Sequence, residues 1–171
     1  VKSSTSLALI QNLKGKNKIK EEIERYSIIR AVTAVERADV VIIVIDATEG
    51  VTEQDAKIAG IAHDRGKGII IAVNKWDAIE KDNNTVKKHT EKIRQILSFM
   101  PYAEILFISA KSGQRLNKIF EMIDVVIENN SMRVATGVLN EIVTEAVAMQ
   151  QPPTDKGKRL KIYYVTQVAV K

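Results

Sequence analysis

The chain is 171 residues long, which suits one medium domain or one domain plus part of another, and 45% apolar with 27% charged side chains argues for a core and against disorder. Its formal charge of +5 is too small to mark a dedicated polycation, and a solvated basic surface accounts for it as well as a nucleic-acid partner does. With no cysteine, a disulfide framework, a thiolate metal site and a cysteine nucleophile are all excluded.

The charge is unevenly spread. Residues 1–20 hold five lysines and no acid, residues 21–131 carry a net −3, and residues 132–171 a net +3. The first segment is read as a basic stretch distinct from the rest of the chain. From residue 21 helices and strands alternate. A helix is expected over 21–37, with Ile28, Ala31, Val32 and Val35 recurring along one face. Residues 39–46 form a β-branched run without polar alternation, the pattern of a strand covered on both faces. Asp46, at its end, reads as a cap of the next loop.

A second helix is expected over 52–65, with Thr52 as N-cap and Gly66 as the stop. A buried strand follows at 68–73, a charged amphipathic helix at 85–99 ended by Pro101, a third strand at 104–108 and a helix at 116–127. The two histidines, His63 and His89, sit at no metal-ligand spacing and read as polar positions on helix surfaces. The apolar run at 40–45 is the longest in the chain and far too short to span a bilayer, and the first residues lack a secretory layout. A soluble cytoplasmic protein without membrane contact is the expectation.

A boundary is read near Asn129-Asn130-Ser131. Beyond it, residues 136–149 put Val138, Leu139, Ile142, Val143, Ala146 and Val147 on one helical stripe. Residues 151–157 are loop by composition, and 161–170 read as a long strand. One helix and one strand are too little for an independent unit, so this part is expected to be truncated or to lean on the first. The expected organisation is 1–20 basic segment, 21–131 α/β domain, and 132–171 the start of a second, α+β unit.

Strand–helix alternation implies a doubly wound parallel sheet, in which ligands collect beyond the carboxyl ends of the strands. Those ends carry Asp46, then Asn74-Lys75-Trp76-Asp77, then Ser109-Ala110-Lys111. Guanine presents two adjacent donors along the edge bearing N1 and the 2-amino group. An ionised aspartate accepts both, which suits Asp77. Asn74 can brace the loop and reach the other edge of the purine, and Lys75 can lay its methylene stem over the ring. Adenine leaves the carboxylate unpaired, and selectivity follows from that penalty. The small Ala110 permits close backbone approach, its N–H available to the guanine carbonyl, with Ser109 and Lys111 flanking it. Each element also has a local reading: Asp77 as a turn cap, Lys75 as a solvated surface lysine, Trp76 packed beside the site.

With these motifs in hand, the sequence resembles the bacterial tandem-domain GTPases of the Der/EngA type over residues 18–171. The resemblance rests on Glu24-Arg25-Tyr26-Ser27, Asp46-Ala47-Thr48-Glu49-Gly50, Glu53-Gln54-Asp55, Asn74-Lys75-Trp76-Asp77, Leu139-Asn140 and Lys161-Ile162-Tyr163-Tyr164. It is to the second G domain and the start of the C-terminal KH-like domain. It implies a partial P-loop GTPase-like domain followed by a truncated KH-like segment, binding of GTP or GDP, and Mg2+ in the intact parent. It also implies a role in large ribosomal subunit assembly, with ribosomal RNA as partner. By the resemblance Asn74, Lys75 and Asp77 form the fourth G motif, and Ser109, Ala110 and Lys111 the fifth. The family's phosphate-binding pattern G-x-x-x-x-G-K-[ST], its switch threonine and its D-x-x-G are absent from these 171 residues, and Lys2-Ser3-Ser4 only echoes the end of the first. No catalytic residue and no magnesium ligand are assigned, and the chain as given is expected to lack hydrolytic activity. The alternative is an RNA-binding interaction module without nucleotide function, with Lys156, Lys158, Arg159 and Lys161 touching phosphates.

Overall fold

A computed structural model describes residues 7–11, 19–155 and 157–168. Two compact units divide after Asn130. The first contains β1 (Leu7–Gln11), α1 (Ile19–Arg37), β2 (Val40–Asp46), α2 (Glu53–Asp64), β3 (Gly68–Asn74), a 3-10 turn (Trp76–Ala78), α3 (Thr85–Ile96), β4 (Glu104–Phe107) and α4 (Asn117–Ser131) at the boundary. All four strands pair in parallel in the order β1-β2-β3-β4.

The β-branched runs build the sheet as their composition dictates. Every residue of β2 before Asp46 is buried, as is every residue of β3 before Asn74. Successive side chains point to opposite faces, and each face has its own helical cover. Val41, Ile43, Ile45, Ile69, Ile71 and Val73 pack with Ala31 and Val35 of α1, Ile58, Ala59 and Ala62 of α2, and Ile93 of α3. On the other face Val40, Ile42, Val44, Ile70 and Ala72 meet Ile123 of α4, with Ile119, Met122, Val126 and Ile127 packed alongside. This is the parallel sheet with helices on both faces that the sequence predicts. One strand comes from the segment the sequence sets apart: Leu7–Gln11 pairs residue for residue with the first five residues of β2.

The helix ends follow local chemistry. Thr52 and Asp55 form a reciprocal capping box at the start of α2. At its other end Gly66 takes φ 63°; its N–H donates to His63 O at 2.9 Å and that of Lys67 to Ala62 O at 3.1 Å, the paired bonds of a Schellman stop. Along α1, Ala31 and Val35 are buried and Val32 half-buried, whereas Ile28 is exposed. The third helix ends at Ile96, short of Pro101, because the chain turns to sink Leu97 and Met100 into the core. The histidines are half-buried surface positions that make ring contacts. His63 stacks on Tyr102, meets the edge of Phe99, and its Nδ1 lies 2.8 Å from the Tyr102 hydroxyl; the His89 ring stands edge-on to Trp76.

The second unit contains α5 (Thr136–Met149) and a short antiparallel pair, β5 (Thr154–Asp155) with β6 (Lys158–Arg159). No residue of α5 is buried, and Val138 and Ile142 of its stripe are exposed. The long strand expected over 161–170 does not form across the described residues 161–168. At Val165 the backbone finds a side-chain partner instead. Asn140 donates to Val165 O at 2.8 Å and accepts from Val165 N at 2.9 Å, standing in for a neighbouring strand. In the other direction the Gln167 side chain donates to Met132 O at 3.0 Å and accepts from Val134 N–H at 2.9 Å. No described helix is long and apolar enough to cross a membrane.

Candidate functional site

The carboxyl ends of β2, β3 and β4 bring the predicted residues to one edge. Asp46 and Asn74 are register partners at the last position of β2 and β3. Beyond them the β3 and β4 ends are tied together: Ile108 N–H donates to Val73 O at 2.8 Å and Trp76 N–H to Ile108 O at 3.0 Å. The Asn74 side chain completes this link, its Oδ1 accepting from Ala110 N–H at 2.9 Å. Asn74 therefore braces the second motif directly. The Ala110 N–H, which the sequence offers to a ligand carbonyl, points to Asn74 in this structure.

Asp77 is exposed at the start of the 3-10 turn. A hydrogen bond from the Ser109 hydroxyl, with the nearby charges of Lys111 and Lys81 adding to it, holds its carboxyl below the usual aspartate range. Ser109 is fully buried, and its Oγ also accepts from Ser112 N–H at 3.1 Å. Asn74, Asp77, Ser109, Ala110 and Lys111 thus sit together. Asp77 is an ionised, acceptor-only group facing solvent at a fixed place, which is what recognition of two adjacent N–H donors requires.

Lys75 is placed differently from the rest. Its backbone is left-handed, φ 62° and ψ 30°, a region a lysine rarely occupies. Its ammonium forms an ion pair with Asp46, whose other oxygen accepts from Thr48 N–H at 2.9 Å and Thr48 Oγ1 at 2.7 Å. Burial alone pushes the Asp46 carboxyl up, but the hydrogen bonds from Lys75 and Thr48 outweigh it and lower it to about 2. Asp46 does cap its loop as the sequence suggests; its pairing with Lys75 is a feature of the folded chain that the sequence alone does not show. Trp76 is buried, its ring centroid 4.3 Å from that of Phe107. It is a packing residue beneath the site, not a stacking surface.

Among the described residues no three of His, Cys, Asp and Glu gather to hold a metal ion. In the second unit Lys158, Arg159 and Lys161 are exposed on or beside the β5–β6 hairpin, and Lys156 lies outside the described residues.

Residues 26–129 match the family described as the elongation factor Tu GTP binding domain, and residues 133–171 match the KH-domain-like family of EngA bacterial GTPase enzymes, C-terminal. The chain is 94% identical over 159 residues to GTPase Der of Agathobacter rectalis and 73% identical to GTPase Der of Lachnoclostridium phytofermentans. In both cases 93% of this chain is covered, and it spans 36% of the relative's length. Among solved structures, Era in complex with MgGDPNP and nucleotides 1506–1542 of 16S ribosomal RNA is similar over 64% of this chain and 35% of that one, at 29% identity and a TM-score of 0.52. Elongation factor SelB of Methanococcus maripaludis shares the fold, with a TM-score of 0.55 over 65% of this chain and 25% of that one, at 24% identity. The chain belongs to the elongation factor Tu-type GTP-binding domains and, within them, to the Der/EngA GTPases, from a stretch that joins a G domain to a KH-like segment.

Proposed function

We propose that this chain reads the guanine base of GTP or GDP through Asn74, Lys75, Asp77, Ser109, Ala110 and Lys111, as part of a cytoplasmic GTPase that assists large ribosomal subunit assembly. The observation that carries the reading is the joining of the two strand-end motifs. Asn74 Oδ1 accepts from Ala110 N–H at 2.9 Å, and the Ser109 hydroxyl helps keep the Asp77 carboxyl ionised. In this reading the ionised Asp77 accepts the N1 and 2-amino protons of guanine, and Asn74 keeps the Ala110 loop close enough to frame the base. The Lys75 stem covers the ring. Adenine offers no such donor pair, so it leaves the carboxylate without its two bonds. Triphosphate and Mg2+ contacts belong to parts of the longer relatives outside these residues.

Ribosomal RNA is the proposed partner of the KH-like segment, with Lys158, Arg159 and Lys161 as exposed phosphate contacts and Lys156 as a further candidate. The match of residues 133–171 to the EngA KH-like family supports this, as does the RNA in the Era complex. The test is a titration of the isotope-labelled chain with guanosine and adenosine monophosphates. Amide signals of Asn74, Asp77, Ala110 and Lys111 should move with the first and stay with the second; equal response to both contradicts the reading. Salt-dependent RNA binding with no guanine response would favour an RNA-binding module without nucleotide function.

A further inference from the structure

The Lys75 side chain anchors the proposed base site to the end of a strand outside both motifs. The backbone of the residue is pinned on every side. Asn74 O accepts from Ala47 N–H at 2.9 Å, Trp76 N–H donates to Ile108 O at 3.0 Å, and Lys75 O accepts from Ala78 N–H at 3.0 Å. These bonds hold residue 75 in its left-handed conformation, one of only two such non-glycine residues among those described. From there the methylene stem runs across the strand ends from β3 to β2, and its ammonium meets Asp46.

Asp46 is itself immobilised. It is the last residue of β2, in register with Asn74, and Thr48 gives one of its oxygens two hydrogen bonds. Its side chain is 19% exposed against 55% for that of Lys75, so a well-packed acid holds a largely solvated base. A free lysine samples many rotamers, and ordering it on binding costs affinity; a fixed partner removes much of that cost beforehand.

We propose that Asp46, held by Thr48, is the positioning residue that sets the Lys75 stem for the purine face, without touching the nucleotide. This rests on the base-site reading above. It adds a third strand end to a site that the two motifs alone place on β3 and β4, and it gives the Asp46-Ala47-Thr48 run a role in base binding beyond capping its own loop.

The test is a double-mutant cycle on the whole chain, read as guanosine monophosphate affinity from amide shifts at Asn74, Asp77 and Ala110. Asp46→Asn should weaken binding about threefold to tenfold, and Thr48→Val, which keeps the backbone donor, by less. Lys75→Met retains an apolar stem without the ammonium. In that background Asp46→Asn should have no further effect, because the route through Lys75 is already cut. Equal losses in both backgrounds would mean that Asp46 acts only on the fold and would overturn the proposal, as would unchanged affinity in Asp46→Asn. Asp77→Ala separates the two levels. If it abolishes the guanine response while the Asp46 variants bind normally, the base site stands and only the positioning role falls. If the unaltered chain gives no guanine-specific shifts, the base-site reading fails and this inference fails with it.

Discussion

At the scale of single residues the site depends on groups whose ionisation is set by their neighbours. Asp46 has a folded pKa of about 2 against an ordinary 3.8. A lowered carboxylate stabilises the fold above its unfolded pKa, and that contribution is lost as pH falls through the folded value. The ion pair with Lys75 should therefore survive at pH 4 and dissolve only between there and about 2. A carboxyl-carbon NMR titration of Asp46 checks this, and a midpoint near 4 would show the pair to be absent in solution. Asn74 makes a second test. Asn74→Ala removes the acceptor of Ala110 N–H and should cost about 0.5–1.5 kcal/mol, because that amide lies near solvent and water can replace the bond. Chemical denaturation measures it. Much of this scale is legible in the sequence. Asp77 and Asn74 announce themselves by residue type at a fixed spacing, and a buried Trp76 follows from one large ring beside a strand. The Asp46–Lys75 pair is not legible, since the two residues are 29 positions apart and meet only through the β2–β3 register. Nor does a lysine advertise a left-handed backbone, a conformation usually signalled by glycine or asparagine.

At the scale of elements the fold rests on runs and stops that the sequence states openly. Continuous β-branched stretches mark β2 and β3 within a residue of their ends, and Thr52 and Gly66 mark both ends of α2. The strand that does not form at 161–168 has a physical explanation. A β pattern supplies suitable side chains, but a strand exists only with a partner, and here the side-chain amide of Asn140 takes the backbone groups of Val165. Among the described glycines, Gly68 is the one with neighbours inside van der Waals contact of an added Cβ. A Cβ there would lie 2.6 Å from Val126 Cγ1 of α4 and 3.3 Å from Val40 Cγ2. Both neighbours are branched at Cβ and have little freedom to move aside. Gly68→Ala should destabilise the chain by about 1–3 kcal/mol. Thermal or urea unfolding reads the effect directly, and a neutral result would show that α4 sits less closely on the sheet.

At the scale of the whole molecule the chain is two units with different logics. The first has a sheet covered on both faces. The second buries no residue of its helix, with Val138 and Ile142 of the stripe exposed. The chain spans only 36% of its curated relatives, and its 171 residues contain no G-x-x-x-x-G-K-[ST]. Phosphoryl transfer in P-loop enzymes is carried by that segment with its metal, so this chain alone should hydrolyse GTP no faster than buffer; turnover above that level contradicts the division of labour. The central claim, that Asp77 reads guanine, is most directly tested by swapping its hydrogen-bonding pattern. Asp77→Asn replaces one acceptor by a donor, which suits the 2-carbonyl of xanthine in place of the 2-amino group of guanine. Affinities of the original and substituted chains for guanosine and xanthosine monophosphates should show the preference reversing, with guanine weakened roughly 10- to 100-fold. Unchanged guanine affinity and selectivity in Asp77→Asn would contradict the assignment.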